Sequence, residues 1–155
     1  MHTMTKMEQQ RIQKAREEYL TTQVATASPA QLTLMLFDGA DRYLQAAVAL
    51  LHAGVTLTTA SVVTEALGRA GSIVSQFLAT LDVEVWPEGQ QLADLYLWIA
   101  DEFTQINVAK RILPALATSA DREVHHHLAE RAERARVMLF DIAAAFRGTV
   151  QSGVA

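Results

Sequence analysis

Apolar residues recur every three or four positions through most of the chain, the interval at which side chains stack on one face of an α-helix. Three prolines and seven glycines are all that punctuate the pattern. The chain therefore reads as all-α. A short, charged helix is predicted over residues 5–19, with Met7, Ile12, Ala15 and Tyr19 as its sparse apolar positions. A second helix starts at Ser28, whose hydroxyl can cap free backbone N–H groups, with Pro29 in the first helical position and Gln31 closing a capping box. It runs to about Leu51, where AGVTLTT interrupts the period. The third is predicted over residues 61–81, and VEVWPEGQ leads to a fourth over 91–113, ended or kinked by Pro114. A fifth covers 121–147, and the tail GTVQSGVA frays.

Four long helices joined by short or medium loops pack as an antiparallel four-helix bundle, with the short additional N-terminal helix laid outside it. The expected organisation is a mobile N-terminal segment (1–18), a helical-bundle domain (19–147) and a flexible tail (148–155).

Three helices carry more apolar or small surface than one core face uses. In the second, Leu32, Met35, Leu36, Ala40, Tyr43, Leu44, Ala47, Leu50 and Leu51 form the predicted core stripe. Leu34, Phe37 and Val48, with Asp41 among them, fall on the other side. The third has a core stripe through Val63, Ala66, Leu67, Ala70, Val74, Phe77, Leu78 and Leu81. Gly68, Gly71, Ser72, Ser75 and Ala79 line its shoulder as a shallow trough. A glycine inside a helix costs ~1 kcal/mol relative to alanine, so two on one shoulder suggest close packing by something. On the fourth, Leu92, Leu95, Tyr96, Ile99, Phe103 and Ile106 face the core, while Leu97, Thr104 and Val108 make a second stripe. A bundle burying more than one stripe per helix accounts for this, and so does a groove that receives an amphipathic helix.

Composition narrows the functions. A formal net charge of −4 gives no reason to expect nucleic acid or anionic lipid as a partner. There is no cysteine, which excludes disulfides and thiolate metal sites. No stretch approaches ~18 uninterrupted apolar residues, so no membrane span is expected. The charged start MHTMTKMEQQRIQKAREEYL lacks the apolar run of a signal peptide, and a cytoplasmic location is the simplest expectation. Asp94, Asp101, Glu102 and the run AERAERAR read as outer-face charge. His125, His126 and His127 are consecutive and point about 100° apart, so they do not converge on a metal without help from elsewhere and read as solvated. None has the lysine and glycine that follow the histidine of a phosphotransfer domain. No serine, histidine and aspartate spacing argues for nucleophilic catalysis, so neither an enzyme nor a cofactor or metal is expected.

Tyr19 followed by TASPAQLTLMLFDGADRYLQAA resembles the N-terminal signature of the FliS family, flagellar export chaperones that bind flagellin. Thr26, Ala27, Ser28, Pro29, Leu32, Met35, Leu36, Asp38, Gly39 and Ala40 stand where that signature has them, with Phe37 in place of tyrosine. ALGRAGSIVSQFLATLD resembles the family's third helix. LADLYLWIADEFTQIN resembles a further stretch through Leu92, Leu95, Tyr96, Ile99 and Asn107. The chain departs from the pattern at Leu97, where an acidic residue is usual, in the longer region 110–121 with Pro114, and at Phe146, where tryptophan is usual.

The resemblance implies a cytoplasmic bundle that holds the C-terminal segment of flagellin, prevents premature polymerisation and delivers it to the type III export apparatus; other flagellar export components are open as further partners. Combined with the spare surfaces, it makes Tyr19, Leu34, Phe37, Asp41, Val48, Gly68, Gly71, Ser72, Ser75, Leu97, Asn107 and Val108 the candidate partner-binding residues. It also suggests that the Tyr19-bearing segment covers the groove until the client enters. A monomer or weak dimer is expected. The alternatives are a helical protein that buries its second stripes by self-association and, further off, a histidine phosphotransfer domain.

Overall fold

The computed structural model describes residues 5–151, apart from 83, 85–87 and 115. Its helices are α1 (Lys6–Thr26), α2 (Pro29–Ala53), α3 (Ala60–Thr80), α4 (Gly89–Ala109) and α5 (Ser119–Gln151). α2 packs on α3 and α5, and α4 closes the ring by packing on the same two helices. The end of the tail, residues 152–155, and half of VEVWPEGQ lie outside the described residues.

The start of α2 forms as its sequence dictates. Ser28 Oγ accepts from the Gln31 amide at 3.2 Å, and the Gln31 side chain accepts from the Ser28 amide at 2.9 Å. These two bonds satisfy amides that the helix itself leaves without partners. α5 begins at Ser119, two residues before its predicted start, with a similar reciprocal pair: Asp121 N–H donates to Thr118 Oγ1 at 3.2 Å, and Thr118 N–H donates to Asp121 Oδ2 at 2.9 Å. These bonds hold the Asp121 carboxyl below its ordinary range. α1 continues to Thr26, well past Tyr19, so the expected irregular link to α2 is helical.

The predicted end of α4 at Pro114 is displaced to Ala109, because the chain is drawn out of the helix before the proline is reached. Lys110 is extended, and Leu113 N–H donates to Val55 O at 2.7 Å, strapping the α4–α5 connection across the α2–α3 turn. Gly54, with φ +91°, makes that turn, and a Cβ there would run into the Leu113 side chain. Gly54→Ala is therefore expected to lower stability by ~1 to 3 kcal/mol, through an unfavourable backbone conformation and a collision with the strap. Equal urea midpoints for variant and parent would show that the strap yields freely.

The core stripe of α3 is as predicted: Val63, Ala66, Leu67, Ala70, Val74 and Phe77 are buried. That of α2 is rotated. Its buried residues are Phe37, Ala40, Leu44, Ala47 and Leu51, which places Leu36 at 37 % exposure and Phe37 at 3 %. At about 100° per residue, Phe37 lies about 40° from the centre of that set and Leu36 about 60° away on the other side. Leu32 and Met35 precede the fully buried stretch and are only half-buried, so counting them as core displaced the predicted centre. Leu95, also predicted inside, is exposed.

Three charges expected on the outside, Glu102, Arg131 and Arg136, hold helices together instead. Glu102 is buried, and Arg131 donates to both its oxygens, from Nε at 3.0 Å and Nη2 at 2.6 Å. Arg136 likewise joins Asp41 at 2.9 Å and Glu133 at 2.6 Å. Long arginine side chains span from α5 to a neighbouring helix, which a count of charge along one helix does not register. The hydrogen bonds from Arg131 hold Glu102 below its ordinary value, and those from Arg136 do the same for Glu133. Carboxyls with a folded pKa below the unfolded one stabilise the fold above about pH 4.5, and that stability is lost as pH falls through the folded value. Acid should thus lower the urea midpoint below that pH, and Glu102→Gln should flatten the dependence.

Candidate functional site

α3 and α4 pack closely enough to bury Val74, Ile99, Phe103 and Ile106, yet a groove of about 390 Å³ remains open along their seam. The small residues on the shoulder of α3 create it. Gly68, Gly71, Ser72 and Ser75 form one wall, facing Ala100, Phe103, Thr104 and Asn107 on α4. A Cβ at Gly71 would meet Phe103 Cδ2 at 3.9 Å, an ordinary contact, and one at Gly68 would meet nothing within 4 Å. The bundle's own packing does not require these glycines. They lower helix propensity and leave room above the seam.

Hydrogen bonding makes the walls less polar than their composition. Ser72 donates to Gly68 O at 3.0 Å, and Thr104 to Ala100 O at 3.2 Å, so both hydroxyls are satisfied by their own helices. Asn107 Nδ2 donates across the seam to Thr64 O at 3.4 Å and closes one end of the groove. The Oδ1 of the same amide is buried without a partner. Next to it Lys110 donates to Asn107 O at 3.0 Å, and burial holds its ammonium below its usual range. No charged residue lines the groove itself. Such a channel suits an apolar face of a partner segment with its backbone close to the floor.

Of the candidate residues, the fold brings together Gly68, Gly71, Ser72, Ser75 and Asn107. Leu97 and Val108, 53 % and 82 % exposed, share the outer face of α4 with Thr104 and flank the groove. The α2 candidates are elsewhere. Phe37 is a core residue, with its ring centroid 4.4 Å from that of Phe77, and its placement on the outer side is corrected. Val48 is half-buried against the same core, and Asp41 is engaged by Arg136 and by Gln45 at 2.6 Å. Leu34 is half-buried. Tyr19 is 63 % exposed on α1, whose described side chains face water except for half-buried Glu8, so the expected cover does not lie on the groove. Ala100 and Phe103 complete the wall of α4; the sequence singles out only Phe103, as a core position, and gives no sign of Ala100.

The histidines divide. His126 and His127 are exposed as expected, but His125 is 3 % exposed, with Nε2 at 2.5 Å from Arg111 O in the strap, which corrects its reading as solvated. Among the described residues no group of three or more histidine, cysteine or carboxylate side chains is arranged to hold a metal.

A fold of this kind supports many functions, and the small-residue groove on α3 coincides with the stretches that carry the family resemblance. The model of the family described as flagellar protein FliS matches residues 11–119. The chain belongs to the FliS family. The match begins within α1, covers α2 to α4 and ends at the first residue of α5, and it contains every residue of the groove. FliS proteins are flagellar export chaperones, a non-enzymatic role. No curated protein matches the chain closely. No described helix is long and apolar enough to cross a membrane.

Proposed function

We propose that the α3–α4 groove receives the C-terminal helical segment of flagellin. In this reading the protein holds that segment in the cytoplasm, prevents premature polymerisation and supports delivery to the flagellar type III export apparatus. The observation that carries the reading is a groove built on two helical glycines that the bundle does not need. Close approach is what a missing Cβ provides, and an amphipathic guest helix can use it. Leu97 and Val108 then extend the contact along α4, while Asn107 fixes one end.

A peptide with the C-terminal segment of a flagellin from the same cell is expected to bind and to gain helicity, with a negative heat-capacity change from apolar burial. Ordering the peptide costs free energy, so affinity per unit area is moderate. Calorimetry at several temperatures with no heat and no heat-capacity change would overturn the reading.

Self-association remains a second reading because Leu95, Trp98 and Phe140 are exposed on the bundle and Ile12, Tyr19 and Leu20 on α1. Light scattering distinguishes the two. A chaperone stays small across concentration and gains mass with the peptide, whereas an assembly protein grows by itself.

A further inference from the structure

Away from the groove, His52 in the last turn of α2 and His126 near the start of α5 bring their Nδ1 atoms to 3.3 Å. Both residues are exposed. The rings are not stacked, having centroids 5.5 Å apart and planes inclined by 55°. We propose that this pair is a two-imidazole site for a divalent transition-metal ion of the zinc type, clasping α2 to α5.

Zinc binds imidazole nitrogen at about 2.0–2.1 Å, so two ligands at tetrahedral angles are separated by roughly 3.3–3.4 Å. The observed separation already has that value. Nδ1 to Nδ1 contact between neutral rings uses one N–H and one lone pair, so metal binding requires the donor ring to move its proton to Nε2. That proton transfer leaves both Nδ1 lone pairs available and releases no net proton. Exposed rings can turn so that the lone pairs converge, and solvent occupies the remaining coordination positions.

The neighbouring histidines do not compete for this role. His125 is buried and bound to the strap carbonyl. His127 lies about 100° further around α5. Glu133, whose carboxyl His52 also influences, is held mainly by Arg136, so it contributes negative potential and not a third ligand. Imidazole pairs suit zinc, copper and nickel over magnesium or calcium, which prefer oxygen.

Binding only to the folded state raises apparent stability with metal concentration. The test is a zinc titration of the full chain, followed by thermal melting and by ¹⁵N spectra of the imidazoles. Expected results are a saturable rise in melting temperature and spectra in which both Nδ1 atoms are unprotonated, the donor ring having moved its proton to Nε2. His52→Gln and His126→Gln should each weaken zinc binding at least tenfold, whereas His127→Gln should leave it intact. All three variants should melt like the parent without zinc, since the side chains are exposed. No melting shift at millimolar zinc, or an equal shift in the His52→Gln and His126→Gln variants, would overturn the site.

Discussion

Truncating Phe37 to alanine is expected to destabilise the free protein by about 3 to 5 kcal/mol, while Leu36→Ala should cost under ~1 kcal/mol. Phe37 is enclosed by a ring cluster, 4.4 Å from Phe77 and 6.2 Å from Phe146 between centroids, and Phe77 in turn lies 5.8 Å from Tyr96. Its removal leaves a cavity where α2, α3, α4 and α5 converge, and aromatic pair contacts are lost beyond the buried area. Leu36 reaches water and leaves no comparable void. Urea denaturation of the two variants measures the difference. Similar losses would mean that the first turns of α2 are packed differently from the arrangement described here.

The second large effect is on binding. Gly71→Leu should reduce affinity for the flagellin segment by at least about 100-fold, or ~2.7 kcal/mol, because the new side chain occupies the groove that the guest backbone needs. The free variant should be no less stable. Its Cβ meets Phe103 at an ordinary distance, and leucine favours the helix by nearly ~1 kcal/mol over glycine. Circular dichroism melting and peptide calorimetry on the same sample separate the two effects. An unfolded variant would show that Gly71 is a contact between the protein's own helices, and unchanged affinity would place the client elsewhere.

The legible parts of this chain are those where the cause is local or strictly periodic. The Ser28–Gln31 box marks the start of α2 because both partners lie within one turn. The α3 stripe reads correctly because its core positions alternate cleanly with small and polar ones, and the same alternation exposes the trough of Gly68, Gly71, Ser72 and Ser75. On α2 the surplus of leucines leaves the wheel without a clear polar arc, so Leu32 and Met35 pulled the predicted face away from Phe37. The surplus is resolved by the fold: Phe37 and Val48 join the core, and Leu34 is half-buried near the end of the bundle. Long-range pairings were not legible. Glu102 to Arg131 and Asp41 to Arg136 depend on which helices are neighbours, and His125 depends on a strap that leaves α4 five residues before Pro114 to reach Val55. Sequence spacing holds no record of those distances.

The most direct test of the central claim is an amide NMR map of the isotope-labelled full chain, titrated with unlabelled flagellin C-terminal peptide. The account predicts that the largest shifts fall on Gly68, Gly71, Ser72, Ser75, Thr104 and Asn107, with those at Leu97 and Val108 following. Shifts confined to the α2–α5 seam around Phe140 or to the α4–α5 face around Trp98, with the groove amides unmoved, would contradict it.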